Sequence, residues 1–201
     1  MEIKVITGDI TQVEADAIVV NLFEGVEQPS GATAAVDRAL DGAIGNLFSK
    51  GEIKGKFGEV GIIHTLGKFP ARIVAVAGLG KRQDFNLDKI RGVAGEVCRS
   101  LRRLNCRKIA TILHGAGTGG IEPEASVKAI VEGSLLGLYN FSKYKKPEYE
   151  DIDEMLIVVR EESKIRPLEQ SVQKGKVMAE ATSLARDMVN EPANYMTPSR
   201  M

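Results

Sequence analysis

The stretch LHGAGTGGIEPE, residues 113–124, holds the densest set of residues whose spacing could serve a ligand. Gly115, Gly117 and Gly120 satisfy a G-x-G-x-x-G pattern, with Gly119 beside them. Glycines this close let backbone N–H groups approach a phosphate, and a following helix N-terminus adds partial positive charge. A dinucleotide fold places such a turn after its first strand, with an acidic residue at the end of the next. Here the turn follows the fifth apolar run, and the next run ends in Arg160. Two readings of the glycines stand. They cradle a phosphate, or they turn the chain tightly between a strand and a helix.

Other chemistries find less support. The two histidines, His64 and His114, each sit in or at the end of an apolar run, which predicts packed, hydrogen-bonded rings. They lie 50 positions apart, without metal-ligand spacing. No G-x-S-x-G elbow occurs. In GLGKRQ, Arg82 stands where a phosphate loop needs Ser or Thr for magnesium. The acidic run PEYEDIDE (147–154) lacks calcium-loop spacing and reads as a solvated turn. Cys98 and Cys106 would be about 12 Å apart on one helix, beyond the reach of a disulfide.

Bulk properties frame these residues. A chain of 201 residues buries roughly 70% of its unfolded surface. Twenty-seven basic and 27 acidic residues cancel, which gives no electrostatic basis for a nucleic-acid partner or an anionic membrane. The basic cluster RSLRRLNCRK alternates with apolar positions, as a solvated helix face does. No stretch reaches the roughly 20 apolar residues of a membrane helix. The N-terminus lacks a signal-peptide core. These features predict a soluble, cytoplasmic protein.

Six segments read as strands: 2–7, 15–20, 59–66, 71–79, 107–114 and 154–160. Four read as helices. The first, about 32–48, carries Val36, Leu40, Ile44 and Leu47 at helical spacing. The second, about 87–104, has Asn86 as N-cap. The third starts at Pro123, with Glu124 complementing its dipole and Val127, Ile130, Val131, Leu135 and Leu138 as its stripe. The fourth, about 168–190, sets Ala181, Leu184, Ala185 and Met188 on one face. The order predicts an α/β fold, three layers α/β/α, with a mixed, mostly parallel sheet of about six strands. The adjacent runs at 2–20 and 59–79 are the places for antiparallel neighbours. The core is expected to end near Arg160, with 161–201 as a linker helix and the entry to something further.

GDITQVEADAIVVN (8–21), SGATAAVDRAL (30–40) and GAGTGG (115–120) together resemble macrodomains, the ADP-ribose-binding fold. That resemblance implies Asp9 near an adenine, Asn21 near a ribose, and Gly115, Gly117, Gly119 and Gly120 around a diphosphate. Where macrodomains carry an Asn-rich loop, this chain has NLFEGVEQP, with Glu24 and Glu27.

A second resemblance runs end to end. ADAIVVNLFEG (15–25), KGKFGEVGIIHTLG (54–67), ARIVAVAGLGKRQDFNLDKIR (71–91), AIVEGSLLGLYNFSKYK (129–145) and ARDMVNEPANYMTP (185–198) resemble the N-terminal domain of the leucyl (cytosol) aminopeptidase family. In that family an N-x-P-x-N-x-x-T-P stretch closes the linker helix; here it reads Asn190, Pro192, Asn194, Thr197, Pro198. Its N-terminal domain is itself macrodomain-like. The resemblance implies a parent enzyme in which two divalent ions, zinc or manganese, activate water to remove N-terminal amino acids from peptides. The ligands and catalytic residues belong to the C-terminal domain, so no catalytic or metal residue carries over to positions 1–201. It further implies a domain inactive alone, a catalytic domain joined in cis, a hexameric assembly, and a tail (Met188, Val189, Tyr195, Met196) covered in the intact enzyme. The alternative is an ADP-ribose- or nucleotide-binding macro-like module. A nucleic-acid-binding role, known for some bacterial members, finds no support in the neutral charge.

Overall fold

The computed structural model describes residues 1–26, 28–115, 120–146 and 148–197. Its strands are β1 (Glu2–Thr7), β2 (Ala17–Leu22), β3 (Val60–His64), β4 (Ile73–Gly78), β5 (Lys108–Thr111) and β6 (Glu154–Val159). Its helices are α1 (Gly31–Ala39), α2 (Ala43–Ser49), α3 (Leu87–Arg103), α4 (Pro123–Leu138) and α5 (Ile165–Asn190). The strands form one sheet in the order β1-β6-β5-β2-β4-β3. Only β3 runs antiparallel, against β4. β1 is not an antiparallel neighbour of β2. It pairs in parallel with β6 at the far edge. Residues 8–16, with a 3-10 turn at Ile10–Gln12, return the chain from the carboxyl end of β1 to the amino end of β2, where Asp16 accepts from the backbone nitrogens of Arg107 and Lys108.

β4 is buried at every residue, as a strand covered on both faces must be. Alternate residues feed two cores. Val19, Ala75, Ile109 and Ile157 meet Ile90, Val97, Ile130 and Leu168 from α3, α4 and α5. Ile18, Val20, Val74 and Val76 meet Val36, Leu40 and Ile44 from α1 and α2. These two cores make the three layers.

The first expected helix is two. Asp41 (φ 54°) and Gly42 (φ 78°) take left-handed conformations and end α1. The carboxylate of Asp37 then accepts from the backbone nitrogens of Ile44 (2.8 Å) and Gly45 (3.1 Å), capping α2. Both helices keep their apolar side on the sheet, so the 3.6-residue periodicity runs through the break.

α3 and α4 pack closely through glycine. A Cβ on Gly133 would lie 2.2 Å from the carbonyl oxygen of Arg91, and one on Gly137 would lie 2.5 Å from Cα of Gly95. Across the same seam, Glu132 of α4, almost fully buried, accepts from Nε of Arg91 at 2.6 Å.

α5 begins at Ile165 and buries a different side from the one expected. Leu168, Ser171, Val172, Gly175 and Ala179 face inward, whereas Ala181, Leu184 and Ala185 are exposed and Met188 is half-buried. Close approach selects small residues on the α4 side: a Cβ on Gly175 would lie 3.0 Å from the Lys128 carbonyl oxygen. Further along, that side becomes polar. The Tyr139 hydroxyl donates to Asp187 (2.8 Å) and accepts from Asn190 (3.1 Å). Beyond the helix, Glu191 accepts from Lys143 (2.7 Å) and from the Tyr144 hydroxyl, and Tyr195 packs on the Tyr144 ring. The tail is therefore tied to the segment after α4, while Val189 stays 85% exposed. Among the described residues no helix is long and apolar enough to cross a membrane.

Candidate functional site

The carboxyl ends of the parallel strands open onto a groove, where open α/β sheets bind ligands. It consists of two clefts that share Ala32, Ile112 and Leu113. The larger, about 580 Å³, lies over the ends of β1, β5 and β6 and includes Asp9, Arg160, Glu161 and Lys164. The smaller, about 220 Å³, lies over the end of β2 and includes Asn21, Phe23, Arg82 and Gly115.

Asp9 stands just beyond β1 and caps the 3-10 turn. Its carboxylate accepts from the backbone nitrogen (2.9 Å) and the hydroxyl (2.8 Å) of Thr11. These bonds hold the carboxyl below its ordinary pKa; the Arg160 charge adds to them, against the opposing cost of partial burial. Asp9 is therefore a fixed carboxylate at the mouth of the larger cleft.

Asn21 lies within β2. Its backbone carbonyl accepts from the Thr33 hydroxyl at 2.8 Å, which ties α1 to the strand. Its amide nitrogen is 3.1 Å from Nδ1 of His114. An amide nitrogen can only donate, so Nδ1 accepts and the imidazole proton sits on Nε2. Burial pushes the His114 pKa down to about 4 and keeps the ring neutral. The His114 carbonyl accepts from the buried Ser126 hydroxyl at 2.8 Å, pinning the start of the glycine segment to α4. His114 is thus packed and hydrogen-bonded, as its apolar setting predicts. His64 is not. It is exposed at the end of β3, an edge strand.

Gly115 has φ 75°, and a Cβ there would lie 2.1 Å from Cε1 of Phe85. Gly120 has φ 67° and open space around it. Backbone conformation accounts for both, and at Gly115 the Phe85 ring does as well. Gly117 and Gly119, the centre of the expected phosphate cradle, lie outside the described residues, as does Glu27.

The structure brings Asp9, Asn21 and Gly115 to one groove. Sequence reasoning missed the cations that join them. Arg160 and Lys164 follow β6 directly, and a residue just past the carboxyl end of a parallel strand is where a groove contact is expected. Arg82 lies 5.3 Å over the Phe23 ring, which meets Phe85 edge-on at 5.0 Å. The groove combines apolar walls, two carboxylates (Asp9 and Glu161) and three cations (Arg82, Arg160 and Lys164, the last paired with Glu161 at 2.7 Å), a set suited to binding a polar ligand. Among the described residues no group of three or more His, Cys, Asp or Glu is placed to hold a metal.

Comparison with known proteins places the fold first. The chain superposes on a Trypanosoma brucei macrodomain solved in complex with ADP-ribose, with a TM-score of 0.66 and 17% identity over 85% of this chain and 69% of that one. It superposes on a tomato leucine aminopeptidase mutant with a TM-score of 0.81 and 19% identity, over 100% of this chain and 40% of that one. Both likenesses show a macrodomain-like fold. The family follows from sequence. Residues 19–148 match the model of the cytosol aminopeptidase family, N-terminal domain, and the chain belongs to that family. A probable cytosol aminopeptidase of Alkaliphilus oremlandii is 35% identical over 204 residues, covering 100% of this chain and 41% of the relative. The chain spans about 40% of the length of the curated relatives it matches.

Proposed function

We propose that this domain works as the non-catalytic N-terminal part of a cytoplasmic, metal-dependent leucyl aminopeptidase. The observation that carries the reading is the family match over residues 19–148, together with relatives aligned along the whole chain at about two-fifths of their length. In the proposal, the peptide-hydrolysing centre with its two zinc or manganese ions belongs to the remaining three-fifths. Residues 1–160 form the body of the domain and 161–201 form the connection to the catalytic part. The domain then contributes to a homo-oligomer, a hexamer in the family, and to access of peptides to the active sites. Deleting residues 1–160 from the relative-length polypeptide tests this. A changed assembly mass and KM are expected; unchanged mass, KM and kcat would sink the proposed role.

A second reading rests on the groove, where Asp9, Arg160, Asn21 and Gly115 border adjoining clefts. It assigns the domain to ADP-ribose or a related nucleotide. Calorimetric titration with ADP-ribose decides it: micromolar binding supports the reading, and no heat at millimolar ligand ends it.

A further inference from the structure

The outward side of α5 carries an apolar stripe that is left exposed among the described residues. Val177, Met178, Leu184 and Val189 are 63%, 55%, 62% and 85% exposed. Ala181 and Ala185 are exposed between them. The six positions fall at i, i+1, i+4, i+7, i+8 and i+12, one continuous helical stripe. Outside α5 the other exposed large apolar side chains among the described residues are Phe57, Leu66, Tyr144 and Tyr195, of which the last two pack on each other. The stripe is centred away from the side that holds Leu168, Val172 and Ala179 against α4, and Met178 and Val189 form its edge next to that buried side. On that inner side Tyr139 grips Asp187 and Asn190, and Lys143 and Tyr144 grip Glu191, fixing the rotation of the helix about its axis. The stripe is therefore held in one orientation.

From this geometry we infer that the α5 stripe is the seat of an apolar face on the C-terminal remainder of the same polypeptide. The inference rests on the reading that the domain is part of a relative-length chain. Magnitudes choose between occupants. Twelve residues of helix rise about 18 Å, and at a helix width of about 10 Å the stripe offers roughly 200 Å². A stable complex between separate proteins buries about 800 Å² per partner. The stripe is too small to hold a second copy on its own. A covalently joined partner acts at millimolar effective concentration, so a small patch suffices. The relatives supply that partner: this chain covers 41% of the Alkaliphilus protein, and the matched family model is an N-terminal domain, so that relative carries a remainder beyond the part aligned with this chain.

Hydroxyl-radical footprinting of the 201-residue chain and of the relative-length polypeptide tests this. Labelling of Met178, Leu184 and Val189 is expected to fall several-fold in the longer protein, while Phe57 and Leu66 keep their rates. Leu184→Glu in the longer protein is expected to restore labelling at Met178 and Val189, without lowering the thermal midpoint of the 201-residue chain. Equal labelling in the two proteins would overturn the inference. So would protection in the 201-residue chain that grows with its concentration, which would assign the stripe to a second copy. A longer protein that protects the stripe yet hydrolyses no peptide would leave the docking intact and sink the aminopeptidase reading, so the two failures are distinguishable.

Discussion

The side-chain nitrogen of Asn21 on β2 lies 3.1 Å from Nδ1 of His114, just beyond β5. A residue at the groove mouth is thus held by a fully buried, neutral imidazole. The pair joins neighbouring strands, and the His114 carbonyl reaches on to Ser126 of α4.

That burial predicts acid sensitivity. The folded pKa of His114 is pushed down to about 4, below the ordinary 6.5. The folded state resists the proton that the unfolded chain accepts, so this stability is complete above pH 6.5 and is lost as pH falls through 4. At about 1.4 kcal/mol per pH unit, the loss between pH 7 and pH 5 is about 2 kcal/mol. Urea titrations at the two pH values measure it. His114→Gln keeps an acceptor for Asn21 but does not titrate, and should flatten the pH dependence by that amount.

Asp37→Ala removes the cap of α2. Two backbone donors, on Ile44 and Gly45, lose their acceptor, at a cost of about 1–2 kcal/mol. Amide exchange should quicken across residues 43–49 and leave α3 unchanged.

Gly133→Ala should be more damaging than its size suggests. The added methyl meets the Arg91 carbonyl oxygen at 2.2 Å, so α3 and α4 must part. Overpacking of this kind costs about 1–3 kcal/mol, read as a lower thermal midpoint. Gly8→Ala, where nothing lies within 4 Å, is the control and should change it little.

Arg91→Ala leaves the buried Glu132 carboxylate with Lys128 alone, at 3.7 Å. A hydrogen bond to a charged group contributes about 1.5–3 kcal/mol, and Arg91 is partly solvent-screened, so the lower end applies. Adding Glu132→Gln should recover part of the loss in a double-mutant cycle.

The strand centres were legible because doubly covered strands write continuous apolar runs, such as IVAVAG in β4. The break at Asp41–Gly42 was not, because Val36, Leu40 and Ile44 keep one helical phase across it while the cap comes from Asp37, four residues earlier. α5 misled for a related reason. Its buried side is built from Ser171, Gly175 and Ala179, which make close contact with little hydrophobic signal, and its most apolar side faces outward. In the groove, Asp9, Asn21 and Gly115 were found by motif. Arg82, Arg160 and Lys164 carry no local signature, and only the strand order brings them together.

The most direct measurement of the central claim is hydrolysis of Leu-p-nitroanilide by the purified 201-residue chain and by the relative-length polypeptide, each with added manganese or zinc. Chelator-sensitive turnover is expected from the longer protein and none from the 201-residue chain at any concentration. A rate from the 201-residue chain that scales with its concentration and disappears on chelation would contradict that expectation.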